Sequence, residues 1–203
     1  MFFGKSLELL GMVGFNLFLG MTLTVTFLGG GDNAPTRLTE ANVSAFVKDM
    51  TEVALGKNPA SDEKAVSFDQ YAITTWLMRH MDEDSKFQAH INISQPNGLS
   101  RQEKLDMNRL DYISQVLKDN KSVKSREANL HVEYVRVDAG GKGASVVFTS
   151  MEKARMPVPS ENGGYEIPVT GTSYCEQKIV IEDAVIKVSA STCTSNVSLS
   201  ENF

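Results

Sequence analysis

The side chains that could support catalysis in this chain are its three histidines and their acidic neighbours. His80 lies in the stretch Arg79-His-Met-Asp-Glu-Asp84, where a carboxylate such as Asp82 could orient the imidazole. The same stretch is typical of a helix C-terminus, which favours cationic side chains, followed by a solvated acidic segment. His90 and His131 lie in predicted strands, and the spacing around them is not that of a metal site. We therefore predict no metal site and treat His80, Asp82 and Asp69, which lies earlier in the same predicted helix as His80, only as weak catalytic candidates.

Nucleotide and nucleophile motifs give no better candidate. The sequence contains no G-x-S-x-G nucleophile elbow and no dinucleotide-binding fingerprint. The stretch Gly140-Gly-Lys-Gly143 resembles a phosphate loop, but a strand rather than a helix is predicted after it, so a hairpin turn explains it better. We therefore predict no cofactor.

Composition limits the class of protein and of partner. The 203 residues are 41% hydrophobic and 22% charged, which is typical of one globular domain with its own core. The formal net charge is −5, and no stretch is rich in Lys and Arg. Because proteins that bind nucleic acid usually present a basic surface, we predict no nucleic-acid partner.

The stretch from Gly164 to Val197 is predicted to form a long hairpin that carries both cysteines of the chain. A turn at residues 183–185 places Cys175 opposite Cys193, because both lie equally far from residue 184. We predict a disulfide between them and therefore an oxidising compartment. In the alternative, the chain is cytosolic and both cysteines are reduced and buried.

The N-terminal stretch from Leu9 to Gly31 has no charged residue and is long enough to cross a bilayer as a helix. We predict a signal-anchor or transmembrane segment at 1–31, which would hold a periplasmic or extracellular domain at the membrane. The alternatives are a cleaved signal peptide, which would give a secreted protein, and a buried core helix. A linker at 32–38, a folded domain at 39–198 and a tail at 199–203 complete the expected organisation.

Periodicity and capping patterns predict an α+β fold. Helices are expected at 39–55, at 67–81 and from Ser100 to about Leu117, the last two opening on the capping-box patterns Ser67 to Gln70 and Ser100 to Glu103. Strands are expected at 87–93, 130–137 and 144–151 and in the cysteine hairpin. The predicted fold class is three N-terminal helices packed on a curved antiparallel sheet, with the apolar N-terminal helix added.

In this order of elements the chain resembles the nuclear transport factor 2-like superfamily. The resemblance covers about residues 37–198 and rests on the strand at 87–93 between two helices and on the long final hairpin. It implies a cone-shaped sheet, and some members are dehydratases or isomerases that place Asp, His or Tyr inside the cone. The residues on helices that would line such a cavity are Asp69, Tyr71, Trp76 and Tyr112. None of them matches a catalytic motif.

Two functions follow as expectations. The first is a membrane-anchored, extracytoplasmic, non-enzymatic binding or assembly module, similar in architecture to the periplasmic scaffold component of type IV secretion systems. Its partners would be the membrane, through the N-terminal helix, and another protein, a second copy of the chain or a small apolar ligand. The alternative is a secreted small-molecule enzyme of dehydratase or isomerase type. Convergent titratable groups in the cone would favour the enzyme, and a filled cone would favour the module.

Overall fold

A computed structural model describes residues 35–59, 68–95, 98–158 and 164–200. These ranges contain three helices and six strands. The helices are α1 (Glu40–Ala54), α2 (Gln70–His80) and α3 (Arg109–Ser122). The strands are β1 (Met81–Ser94), β2 (Ser100–Asn108), β3 (Lys124–Val137), β4 (Gly143–Val158), β5 (Tyr165–Glu182) and β6 (Val185–Leu199).

The six strands form one sheet in the order β2-β1-β6-β5-β4-β3. Neighbouring strands are antiparallel except β1 and β6, which are parallel and bring the first strand beside the last. Along the central strands, buried and exposed residues alternate, because successive side chains point to opposite faces. The helices therefore pack on one face, which we call the inner face, and leave the outer face exposed.

Each helix begins at a residue that caps its free N–H groups. Thr39 and Asn42 form a reciprocal capping box at α1, Asp69 caps α2, and Asn108 caps α3 through Leu110 and Asp111. Each helix then buries an apolar stripe against the inner face. The largest buried side chains include Leu77, Phe87, Tyr112 and Phe148.

The predicted helix from Ser100 is wrong in its first half. Residues Ser100 to Asn108 form β2, and the whole length of β2 pairs with β1, from Ser94↔Ser100 to Lys86↔Asn108. The hydrogen bonds between the two strands satisfy the backbone N–H and C=O groups that would otherwise pair within a helix. Helix α3 therefore begins only at Arg109. A capping-box pattern needs an apolar helical stripe behind it. In β2, partly buried side chains instead alternate with exposed ones, at Glu103, Leu105 and Met107.

The predicted fold class is corrected accordingly. α3 follows two strands rather than the one expected at 87–93, and the parallel β1–β6 pair makes the sheet mixed rather than antiparallel. The apolar helix expected before residue 32 lies outside the described residues. Within the ranges that the structure describes, no helix is long and apolar enough to cross a membrane. The described fold class is therefore three helices on a six-stranded mixed sheet, without the apolar helix.

The cysteine hairpin is confirmed, although its turn and its register differ in detail from the prediction. The turn has two residues, Asp183 and Ala184, with φ of 49° and 61°, and joins the pair Glu182↔Val185. A register shift between Lys178 and Ile179 then adds one residue to β6. That shift brings Cys175 opposite Cys193, and the two form a disulfide.

Candidate functional site

An ion pair between two strands forms the centre of the candidate site. Arg126 on β3 places its Nε and Nη2 atoms each 3.0 Å from Oε1 of Glu152 on β4. The two side chains are only 6% and 0% exposed, so the pair lies in the interior rather than at the surface. A buried pair of this kind is strongly destabilised when one partner is removed.

Helix α3 adds two further polar side chains to the same region. Tyr112 and Asp119 lie seven residues apart on one face of the helix, and each is 1% exposed. The ring of Tyr112 stacks on Phe87 at 4.3 Å, and Oδ1 of Asp119 accepts a hydrogen bond from Nε2 of Gln115. The charge of Asp119 acts electrostatically on Glu152, and the charges of Arg126 and Asp119 act on Tyr112. We call the four residues Tyr112, Asp119, Arg126 and Glu152 the interior polar cluster.

Burial governs the protonation of this cluster. It raises the pKa of Glu152 to about 8, although the guanidinium of Arg126 acts in the opposite direction. Burial likewise raises the pKa of the Tyr112 hydroxyl, and Arg126 again opposes the shift. Among the described residues, Oε2 of Glu152 has no hydrogen-bond partner. A carboxyl group that titrates near neutral pH could exchange a proton with a substrate, if a substrate could reach it.

The cluster also holds the end of a helix. The carbonyl oxygen of Ala54, the last residue of α1, accepts hydrogen bonds from Nη1 of Arg126 at 3.4 Å and Nδ2 of Asn120 at 3.0 Å. A cation at a helix C-terminus satisfies a free carbonyl and interacts favourably with the helix dipole. Arg126 thus connects α1, β3 and β4.

Small polar side chains line the inner face beside the cluster. Ser150, Ser173 and Ser195 lie side by side on β4, β5 and β6, and all three are buried. The hydroxyls of Ser173 and Ser195 are 2.7 Å apart and share a hydrogen bond. The Cys175–Cys193 disulfide occupies the next row of the same face. These short side chains leave room for the bulky residues of the helices.

The structure places two sequence candidates away from this interior. Oδ1 of Asp69 accepts a hydrogen bond from the N–H of Ala72, as the cap of α2. Tyr71, expected to line the cavity, is 81% exposed. The third cavity candidate, Trp76, is partly buried against the core and packs beside His80. Of the four residues on helices, only Tyr112 lies within the interior polar cluster.

His80 and Asp82 each make a local contact. Nδ1 of His80 donates to the carbonyl oxygen of Ile186 at 2.9 Å, and its ring lies 4.2 Å from Trp76. Burial lowers the pKa of His80, and the bond to Ile186 acts in the opposite direction. Oδ1 of Asp82 accepts from the N–H of Asp84. Nothing tests the weak catalytic assignment of these two residues, which stays a prediction.

Sequence reasoning missed three of the four cluster residues. It assigned Arg126 to a loop, ended the strand of β4 at Met151, and gave Asp119 no role. The alternation of the strands contained the information: Arg126, Ala128 and Leu130 share one face of β3, and Glu152 lies among the inward residues of β4. A charged residue at an inward position is the sequence feature that could have identified the site.

Metal ligation has no support in the described ranges, where no group of three or more His, Cys, Asp or Glu side chains could hold a metal ion.

Comparison with known proteins gives similarity of fold. No protein-family model and no curated protein matches the sequence. Among solved structures, a hexachlorocyclohexane dehydrochlorinase, LinA type 2, is 13% identical over 80% of this chain and 91% of that chain, with a TM-score of 0.44. An NTF-2 like protein of unknown function from Silicibacter pomeroyi is 13% identical over 75% and 88%, with a TM-score of 0.36.

An NTF2-like protein from Cytophaga hutchinsonii is 12% identical over 76% of this chain and 94% of that chain, with a TM-score of 0.36. At these identities the comparisons concern the fold alone, which is consistent with a binding module and with an enzyme. The chain is similar in fold to these NTF2-like proteins, and at 12–13% identity the similarity extends no further than the fold.

Proposed function

We propose that this domain is a non-enzymatic binding or assembly module that works outside the cytoplasm. The observation that supports it is the closed interior: Glu152 is 0% exposed, and Tyr112 and Asp119 are 1% exposed. A substrate would have to displace packed side chains to reach these groups. The binding surface of such a module lies on its exposed faces.

The contacts of Arg126 support a structural role for the interior polar cluster. Its guanidinium bonds to Glu152 on β4 and to the carbonyl oxygen of Ala54 at the end of α1. These bonds connect the helix layer to the sheet. Because the guanidinium already binds both the carboxyl group of Glu152 and the carbonyl oxygen of Ala54, it is poorly available to a substrate.

The remaining candidates also serve the fold. Asp69 caps α2, and His80 binds the carbonyl oxygen of Ile186 on β6. The disulfide between Cys175 and Cys193 points to an oxidising, extracytoplasmic compartment, because disulfides are rare in the cytosol.

A second candidate function is a small-molecule enzyme that uses the interior polar cluster. The observation that favours it is the raised pKa of Glu152, about 8, beside Arg126 and Tyr112. Groups with such shifts concentrate at active sites, although structural ion pairs also produce them. The enzyme would require an opening between the helices and the sheet.

The test compares the wild type with the double variant R126M/E152L in a thermal-shift screen of small metabolites. Replacing a buried ion pair by apolar residues of similar volume is often neutral for stability, so the double variant should fold. If the domain is a binding module, we expect no metabolite to raise the melting temperature of the wild type without also raising that of the double variant. A metabolite that stabilises the wild type and not the double variant would overturn the proposal in favour of the enzyme.

A further inference from the structure

The two edge strands of the sheet differ in how regular they are. The edge strands are β3 and β2, and each pairs with a single neighbouring strand. The pairing of β3 with β4 is interrupted by two register shifts, and Ser125, within the first of them, has a φ of 51°. Bulges of this kind twist an edge away from an incoming strand. The pairing of β2 with β1 has no register shift, so β2 presents a regular edge.

The edge of β2 is also long and exposed. All nine residues of β2 pair with β1 on one side, and within the described ranges no strand pairs with the other side. Every residue of β2 is exposed or partly exposed. Alternate residues of an edge strand direct their N–H and C=O groups away from the neighbouring strand. The edge of β2 therefore has backbone donors and acceptors to which a further strand can bond.

The charged side chains of β2 are balanced within the strand. Arg101 and Glu103 form an ion pair at 2.7 Å, and Lys104 and Asp106 form another at 3.2 Å. A run of like charges on an edge strand would repel a second copy of itself, because like charges directly opposite each other are destabilising. The two cations and two anions of β2 cancel, so this strand does not repel its own copy by net charge.

The order of the charges makes β2 complementary to itself. If a second copy pairs antiparallel with the register centred on Leu105, Lys104 of each copy lies opposite Asp106 of the other. Gln102 and Asn108 then form the next polar pair, and Leu105 lies opposite its own copy. Opposite charges across a strand pair are stabilising, and twofold symmetry makes each contact twice. The side chains of Lys104 and Asp106 are each 55% exposed, so both can reach a partner.

We propose that β2 is an interface at which a second copy of this chain adds its own β2 antiparallel, so that one sheet continues across two copies. This inference rests on the proposed binding or assembly function and names a partner for it. Self-complementarity favours a second copy over an unrelated strand. Because a contact between two edge strands buries less surface than a standard interface, the dimer is weak and depends on protein concentration.

The experiment is sedimentation of the full chain at concentrations up to about 100 μM, in mild detergent because residues 9–31 carry no charge. We expect the wild type to dimerise, and K104E and D106K each to weaken the dimer about tenfold, because each replaces two attractive pairs by two repulsive ones. The double variant K104E/D106K exchanges the charges and should restore the dimer. The matched control is K153E, which reverses an exposed lysine on β4 and should leave the dimer unchanged.

Three results would overturn the proposal: a monomeric wild type, a dimer that K104E does not weaken, and a double variant that stays as weak as the single ones. Circular dichroism of each variant shows whether it is folded, and we expect no change because both positions are exposed. A monomeric wild type would overturn this inference alone, since the thermal-shift screen decides the proposed function separately.

Discussion

At the scale of single residues, the two charged side chains of the ion pair in the interior serve to connect elements of the fold, and they are not exposed to solvent. Arg126 and Glu152 are almost completely buried, yet each makes directional bonds that apolar side chains could not. Leaving one member of such a pair without the other places an uncompensated charge in the interior. The cost of each single substitution should therefore exceed the cost of replacing both.

The first prediction concerns this pair. We expect E152L to lower the free energy of unfolding by about 3–5 kcal/mol, since it leaves the guanidinium of Arg126, which stays charged, in the interior without its carboxyl partner. The double variant R126M/E152L should lose much less. Chemical denaturation of the wild type, both single variants and the double variant measures the coupling. Additive losses would show that the two side chains do not depend on each other.

The second prediction concerns pH. Burial raises the pKa of Glu152 from 4.5 in the unfolded chain to about 8 in the folded protein, so the folded state binds the proton more tightly. Its contribution to stability is complete below pH 4.5 and is lost as the pH rises through 8. Two other shifted groups change charge at lower pH. One is Asp49, whose pKa is raised to about 6 and whose effect has the same sign as that of Glu152. The other is His80, whose pKa is lowered and whose effect has the opposite sign until the unfolded chain has lost its proton, about one pH unit above 6.5.

Between about pH 7.5 and 8.5 we therefore expect stability to fall with pH, by at most about 1.4 kcal/mol per pH unit. Urea denaturation across this range measures the slope. E152Q should flatten it, whereas E176Q, which changes an exposed carboxylate on the outer face of β5, should not. A wild-type stability that is constant or rises over the range would contradict the raised pKa of Glu152.

At the scale of elements, local signals account for where the helices begin and for how the cysteine strands pair. Asp69 accepts from the N–H of Ala72 and so satisfies a free donor at the start of α2. The turn at Asp183 and Ala184 sets the register at the start of the hairpin, and the shift between Lys178 and Ile179 then aligns Cys175 with Cys193. Both features involve residues close in sequence, and for that reason both were predictable.

The third prediction tests the role of Asp69 as a cap. We expect D69A to lower the free energy of unfolding by about 1 kcal/mol and D69N to preserve it nearly unchanged, because an amide oxygen caps as well as a carboxylate. Thermal or urea denaturation of the two variants measures the difference. If D69N lost as much stability as D69A, the charge rather than the cap would matter, and the capping role would be wrong.

The fourth prediction concerns the disulfide. Cys175 and Cys193 are 18 residues apart, and closing a loop of this length stabilises the folded state by roughly 3 kcal/mol in the chain-entropy model. We expect C175A/C193A to lose about this amount. Denaturation with and without reductant supplies the control: the wild type should lose stability on reduction, and the double variant should not respond. Two reactive thiols in unreduced, denatured wild type would exclude the bond.

The elements that could not be predicted depend on partners distant in sequence. β2 contains a capping-box pattern at Ser100 to Glu103, and only its pairing with β1 decides that this stretch is a strand. Glu152 and Arg126 come from different strands and meet only because β3 and β4 lie side by side. Alternation along each strand indicates which face a charge occupies. It does not indicate which charge lies opposite.

At the scale of the whole molecule, the described ranges form one continuous core between the helices and the inner face. The N-terminal margin of that core is fixed by Leu38, which is 2% exposed and whose N–H bonds to the carbonyl oxygen of Gly141 at 2.7 Å. The carbonyl oxygen of Thr36 accepts a further hydrogen bond, from Nζ of Lys142 at 3.2 Å. These contacts join the start of the described chain to the turn between β3 and β4.

The last prediction follows from these contacts. A chain that begins at Pro35 keeps Leu38, the Thr39 cap and the bonds to Gly141 and Lys142, so it should fold cooperatively on its own. A chain that begins at Val43 removes the buried Leu38 and the α1 cap, and we expect it to lose roughly 3 kcal/mol or more from the two effects together. Circular dichroism and denaturation of the two truncated chains make the comparison. An aggregated or unfolded chain from Pro35 would show that residues before 35 contribute to the core, whereas equal stability of the two would show that the contacts of residues 35–42 are not needed.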